Sequence, residues 1–290
     1  MLPKRENKIV KAPFSWSMRR REMLNRCPRE YFCHYYGSAG GAFLKEGAQV
    51  CEKLHLARNT VCAESYVSNL ICKVIRQLFN ANAADTANFV SEVEVQFEKE
   101  FRLMLSGKPF LDHKLPLLLE LVQLTETPEA LRIRVSELLK KRSGKLIDCG
   151  LEKVLQISPE KRLELPFPLK ISWNELDCWC TPIGAYLEEG CFCALCAGSE
   201  SEENCALMSF YALEHFRCPP DKVKLFYLGE ERIYEGHKVN SFSAPFRRIR
   251  EDVEVMKLLE LKGAENKKES FPQHFSLCGK CRFNNICSLD

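Results

Sequence analysis

The stretch Phe275-Ser-Leu-Cys278-Gly-Lys-Cys281-Arg-Phe-Asn-Asn-Ile-Cys287 gathers three thiols within ten residues. A C-x2-C-x5-C run is a poor hydrophobic element and a good soft-metal ligand set, because thiolates favour zinc or iron–sulfur clusters over hard cations. Both usually take four ligands, so a fourth has to come from elsewhere in the chain. Cys27, in Asn25-Arg-Cys-Pro-Arg-Glu-Tyr31, is the candidate. The plain alternative is three unrelated buried cysteines, which fill apolar space well. Their clustering, with Gly279 available to turn the chain sharply, favours ligands.

Composition bounds the remainder. A chain of 290 residues can bury a substantial core, and 46% hydrophobic with 28% charged residues is ordinary for a soluble protein. No apolar run approaches the ~20 residues of a bilayer helix, so no membrane partner is expected. Met1-Leu-Pro-Lys-Arg-Glu-Asn-Lys8 has no apolar run behind its basic residues, which does not read as a signal peptide. A cytoplasmic location follows as an expectation. There the 16 cysteines read as thiols and metal ligands, not disulfides.

Net charge of +3 predicts no partner by itself, but its distribution is uneven. Residues 1–29 carry nine Lys and Arg against Glu6 and Glu22, and Arg247-Arg-Ile-Arg250 forms a second basic knot. Such patches attract phosphate backbones, although a charge run is usually only a solvated face.

The spacing predicts a flexible basic arm over 1–13 and a helix from Ser15 or Ser17 to about Tyr36, kinked or broken at Pro28. On that helix Leu24, Cys27, Tyr31 and Tyr35 share one buried face. Gly37-Ser-Ala-Gly-Gly41 ends it. Val67, Leu70, Ile71, Val74, Ile75 and Leu78 form an apolar stripe over 60–79. Further helices are predicted at 86–105, 113–124 and 128–142, the last opened by Thr127-Pro-Glu. Strands are expected at 166–173, 176–180, 191–196, 223–228 and around Arg232-Ile-Tyr, with helices at 205–217 and 244–262. The fold class is therefore α/β, a small mixed sheet flanked by helices behind a largely helical N-terminal half. One domain is expected over 14–290: a helical portion to about 145, a sheet-containing core over about 146–270, and the cysteine cluster at 275–290.

This layout resembles the RecB-like PD-(D/E)XK nucleases, above all AddB-type and CRISPR-adaptation members with an iron–sulfur cluster. Phe14-Ser-Trp-Ser17 ahead of Cys27-Pro-Arg, Tyr35-Tyr-Gly37 with Gly40-Gly41, and Phe275-Ser-Leu-Cys-Gly-Lys-Cys-Arg-Phe283 carry the likeness. It implies a restriction-endonuclease-like core and a 4Fe-4S cluster on Cys27, Cys278, Cys281 and Cys287, with zinc as the alternative. DNA and a partner subunit are the implied partners. It also implies hydrolysis by Mg²⁺ or Mn²⁺ held on carboxylates, with a Lys aiding the attacking water.

Residue by residue, the implied hydrolytic site is eroded. Trp173-Asn-Glu-Leu-Asp177 fits the strand bearing the first Asp, leaving Asp177 as the retained catalytic candidate. The Asp-x-Lys strand corresponds to Ala194-Leu-Cys196-Ala-Gly198, and the stretch 190–199 contains no Lys and no Asp. Cys72 stands where a helix often supplies His, and of the Gln-x3-Tyr signature only Tyr211 survives. Glu188 and Glu189 are expected in an exposed turn, and Glu214 and His215 as surface or packing residues. Cys178 and Cys180, with Cys191 and Cys193, each lie on one strand face. Across adjacent strands they would make a second thiolate site, and small apolar core residues are the simpler account. The expectation is a nuclease-fold protein that has lost cleavage. An active metal-dependent nuclease with relocated ligands and a pure protein-interaction module are the alternatives.

Overall fold

The computed structural model describes residues 14–36, 48–81, 88–106, 115–198, 200–229, 231–236, 238–264, 278 and 281–287. The arm at 1–13 and the glycines of 37–41 lie outside them. In chain order the helices are α1 (Met18–Arg26), α2 (Pro28–Tyr35), α3 (Ala48–Arg58), α4 (Ala63–Asn80), α5 (Phe89–Leu105), α6 (Leu119–Val122), α7 (Pro128–Asp148), α8 (Leu151–Leu155), α9 (Glu202–Phe216), α10 (Ser243–Ala264) and α11 (Asn284–Cys287). The strands are β1 (Ser15–Ser17), β2 (Thr60–Val61), β3 (Leu117–Leu118), β4 (Arg162–Leu163), β5 (Leu169–Trp173), β6 (Leu176–Cys180), β7 (Pro182–Glu188), β8 (Cys191–Ala197), β9 (Val223–Leu228) and β10 (Ile233–Glu235). The protein is thus a mixed α/β structure. It divides into two units: one from Met1–Asn59, Asn174–Asp177 and Ile249–Asp290, the other from Thr60–Trp173 and Cys178–Arg248.

In the larger unit the stripe on α4 does what its period demands. Val67, Leu70, Ile71, Val74 and Ile75 are all buried, against Phe89, Val93, Phe97 and Phe101 of α5 and Leu131, Val135 and Leu139 of α7. Thr127 caps α7, its Oγ1 accepting from the Ala130 N–H at 3.3 Å, with Pro128 in the first turn where no donor is needed. One buried carboxylate interrupts this core and is fully partnered. Glu100 accepts from Tyr66 at 2.8 Å, Lys73 at 2.6 Å and Gln96 at 2.8 Å.

The main sheet has the order β10-β9-β8-β7-β4. β7 and β8 form an antiparallel hairpin, β9 lies parallel to β8, and α9 makes the crossover between them. Glu189 (φ 50°) and Gly190 (φ 75°) make the left-handed pair that a two-residue hairpin turn requires. Ile183, Cys193 and Leu195 face the helical core, while Phe192, Ala194 and Cys196 alternate to the opposite face. Burial on both faces is why β8 reads as one continuous apolar run.

Two expectations change. The helix predicted over 113–124 is only α6, because Leu117 and Leu118 pair in parallel with Thr60 and Val61. β7 had no strand signature, since Pro182 and Gly184 interrupt it and a register shift falls between them. Gly184 has a packing reason: a Cβ there would come within 2.9 Å of the Phe79 ring of α4. Arg162 also lies over that ring, 4.7 Å from its centroid, and donates to the carbonyls of Phe79, of Leu155 at 2.9 Å and of Ile157 at 2.8 Å.

In the smaller unit, Ser17 caps α1, its Oγ accepting from the Arg20 N–H at 3.2 Å. Cys27 then breaks the helix with extended backbone (φ −159°, ψ 107°), and Pro28 begins α2. The expected placement of Cys27 on a buried helical face is therefore corrected. Proline drives the residue before it out of helical geometry and lacks the N–H to continue the ladder. Trp16 is completely buried and donates from Nε1 to Asp252 Oδ2 at 2.8 Å, which fixes α10 against the start of the chain.

Candidate metal centre

Helix α2 sets Cys27 at its N-terminal cap and Glu30, Cys33 and His34 one turn or two further on, at spacings that share a face. The tail segment 281–287 meets this face. Arg282 is the pin: its guanidinium donates to His34 Nδ1 at 3.2 Å and to the Arg58 carbonyl at 3.2 Å, and lies 3.7 Å from Glu30. Glu30 is also held by Arg26, in two hydrogen bonds of 2.9 and 2.7 Å. Phe283 beside the pin is completely buried. His34 is pulled down to about 2 by burial and then by Arg282 and other arginines, so it stays neutral and accepts.

The thiols converge on this seam. Cys33 Sγ lies 4.0 Å from Cys287 Sγ, although 254 residues separate them in the chain. Burial pushes the Cys281 thiol up to about 11, with the charges of Glu30, Cys287 and Cys27 adding to the rise. Cys33 is raised by its hydrogen bond with Cys287, by burial, and by Cys287 and Cys281, while Arg29 opposes. Within the tail, the Cys281 N–H donates to the Cys278 carbonyl at 3.0 Å.

Cys33 was the thiol that sequence reasoning missed. It lies outside the C-x2-C-x5-C pattern, and no local spacing rule links it to the tail. Among the described residues no three His, Cys, Asp or Glu side chains are drawn tightly enough to hold one ion. The donor chemistry nevertheless fits a soft metal. Four thiolates around a dication leave a charge near −2; among the described residues Arg29 acts on Cys33, and Arg26 and Arg282 lie at Glu30 beside it.

The strand that the resemblance aligns with the Asp-x-Lys motif has the opposite character. Ala194 is completely buried, with Ala185 opposite it on β7 and Leu225 on β9. Cys196, two residues on, pairs with Pro182 and Tyr227. No carboxylate occupies these ladder positions. Asp177, half-buried on β6, is not on a strand beside β8, whose neighbours are β7 and β9. Glu188 and Glu189 are exposed at the hairpin turn, Glu188 lying 3.9 Å from Lys161. His215 stacks on Tyr211 at 4.1 Å and its Nδ1 lies 3.2 Å from the Tyr211 carbonyl.

The mid-chain cysteines group differently from the two-strand pairing. β6 and β8 are not neighbours, so Cys178 and Cys180 do not face Cys191 and Cys193 across adjacent strands. Cys180 instead senses Cys196 and Cys178, and Cys196 senses Cys205 of α9. Cys205 Sγ lies 3.4 Å from the Tyr227 hydroxyl. Burial pushes Cys196 up to about 12 and raises Cys180 well above its ordinary value, so both are neutral thiols in a dry pocket.

Comparison with protein-family models, curated proteins and solved structures gave no match.

Proposed function

We propose that this chain is a RecB-like PD-(D/E)XK nuclease relative that no longer cleaves, works as a nucleic-acid-binding or complex-forming subunit, and is stapled by a thiolate-held iron–sulfur centre. The observation that carries the loss of cleavage is the β7–β8 hairpin, α9 crossover and parallel β9, with Ala194 and Cys196 buried where the resemblance requires Asp and Lys. An alanine cannot ligate magnesium, and a neutral buried thiol is neither a hard ligand nor a cation. The staple rests on the thiols of α2 and the tail. Bound there, the centre would crosslink distant parts of the chain, and loop closure over that span is worth about 5 kcal/mol in theory.

Zinc is the second reading, favoured by the 4.0 Å between Cys33 and Cys287. Thiolate–zinc bonds of about 2.3 Å put neighbouring sulfurs of a tetrahedron about 3.8 Å apart. Anaerobic purification separates the two: iron with acid-labile sulfide supports the cluster, and stoichiometric zinc without iron sinks it.

Among the described residues of the basic N-terminal run, Arg20, Arg21 and Arg26 are engaged internally. Arg20 covers Tyr35 at 4.3 Å, Arg21 lies 3.4 Å from Asp252, and Arg26 holds Glu30. Filter binding under salt titration therefore decides between the two subunit roles, because phosphate contacts weaken steeply as salt rises. Retention of DNA that declines with salt supports nucleic-acid binding, and no retention at low salt leaves the complex-forming role. Incubation with single- and double-stranded DNA plus Mn²⁺ is expected to give no products. Cleavage that disappears in Asp177→Ala would overturn the reading.

A further inference from the structure

We infer that Cys33 and Cys287 are an oxidative modification site, closing to a disulfide under peroxide and so locking the tail onto α2. This does not rest on the staple proposed above, because it needs one pair of sulfurs and no metal. Where Cys287 holds a metal, that bond has to be released before the disulfide forms.

Both residues belong to the smaller unit of the chain. Their sulfurs are 4.0 Å apart, and a disulfide bond is about 2.05 Å long. Each side is anchored close to its sulfur. Phe283 is completely buried and its carbonyl accepts the Cys287 N–H at 2.8 Å, one turn away. Arg282 donates to His34, the neighbour of Cys33 on α2. These anchors leave about 2 Å to close, a distance that rotation of the two side chains supplies. The thiols differ in access: Cys33 is 1% exposed, whereas Cys287 is only half-buried. Hydrogen peroxide therefore meets Cys287 first. The Cys287 sulfur takes one oxygen as the O–O bond breaks, giving a sulfenic acid and water. The Cys33 sulfur then attacks the sulfenic sulfur, the S–O bond breaks, and the oxygen leaves as a second water with the Cys33 proton. Two thiols are oxidised and one peroxide is reduced, so the step balances. A buried resolving thiol beside a more accessible one is the arrangement this chemistry uses.

The test uses the full chain purified anaerobically, treated with excess hydrogen peroxide with and without a chelator, and mapped as peptides without reduction. The α2 and tail peptides are expected as one species, two hydrogens lighter than their sum, that separates again on reduction. Cys33→Ser is expected to lose this species and to leave Cys287 as a sulfenic acid that dimedone traps in greater yield than in wild type. Cys33 recovered as a free thiol in both arms, with Cys287 overoxidised or linked instead to Cys278 or Cys281, overturns the assignment and leaves the staple intact. A wild type that carries no metal sinks the staple alone, and the Cys33–Cys287 link is then expected equally in both arms. Should Cys33→Ser fail to fold, the wild-type peptide map decides by itself.

Discussion

Two groups of cysteines sit in opposite chemical settings in this protein. The seam of Cys27, Cys33, Cys281 and Cys287 joins chain segments far apart in sequence and is ringed by Arg26, Arg29, Arg282 and Glu30. The core group of Cys180, Cys196 and Cys205 is buried between strands and α9, with the Tyr227 hydroxyl, the Asn204 amide and glutamates at the start of α9 as its polar company. The residue type is the same, and its surroundings decide its chemistry. Where cations and distant chain segments converge, a thiol is suited to ligate. Where burial dominates, it is a small hydrophobe.

The largest effect expected from this contrast is at the seam. Cys281→Ser should lower the free energy of unfolding by as much as about 5 kcal/mol, because a metal crosslink over so long a loop disappears. Chemical denaturation measures it, and a curve that matches wild type would count against any staple. Rebuilding the hydrolytic motif in the core should fail in a different way. The double change Ala194→Asp with Cys196→Lys puts charges into buried positions and should destabilise by about 3 kcal/mol or more. It should yield no DNA cleavage with Mn²⁺, since no carboxylate pairs with positions 194 and 196 on β7 or β9; recovered cleavage would mean that the site is merely unequipped.

Alkaline pH probes the core group directly. An unfolded cysteine loses its proton near 9.0, whereas folded Cys196 keeps it to about 12. Between these values the folded state binds more protons, so stability is intact below about pH 9 and falls as pH rises toward 12. Cys196→Ala should flatten that decline in a thermal or urea series; an identical slope would place the alkaline loss elsewhere. The smallest effect belongs to Cys180→Ala. It should cost about 1 kcal/mol for a small cavity and leave bound metal unchanged, and a drop in metal content would erase the distinction between the groups.

How much of this was legible in the sequence follows the reach of each signal. The stripe on α4, the Thr127-Pro128 start of α7 and the run of β8 were readable because period and capping are local properties. β7 was not. Its Pro182 and Gly184 look like loop residues, and the reason for Gly184 is a Phe79 ring more than a hundred positions earlier. The erosion at Ala194 and Cys196 could be read by residue type, but Asp177 could not be assigned to a sheet, because strand order is a tertiary fact. At the candidate centre, Cys27 and the tail thiols stood out through clustering. Cys33 did not, since its only distinguishing feature is its proximity to Cys287.

The central claim, that the α2 and tail thiols hold a metal, is tested most directly by assaying metal and acid-labile sulfide in the full chain purified without oxygen. The account predicts one bound centre per chain, with chelation exposing Cys278, Cys281 and Cys287 together to alkylation. A folded chain free of metal, with its tail thiols reactive from the outset, would contradict it.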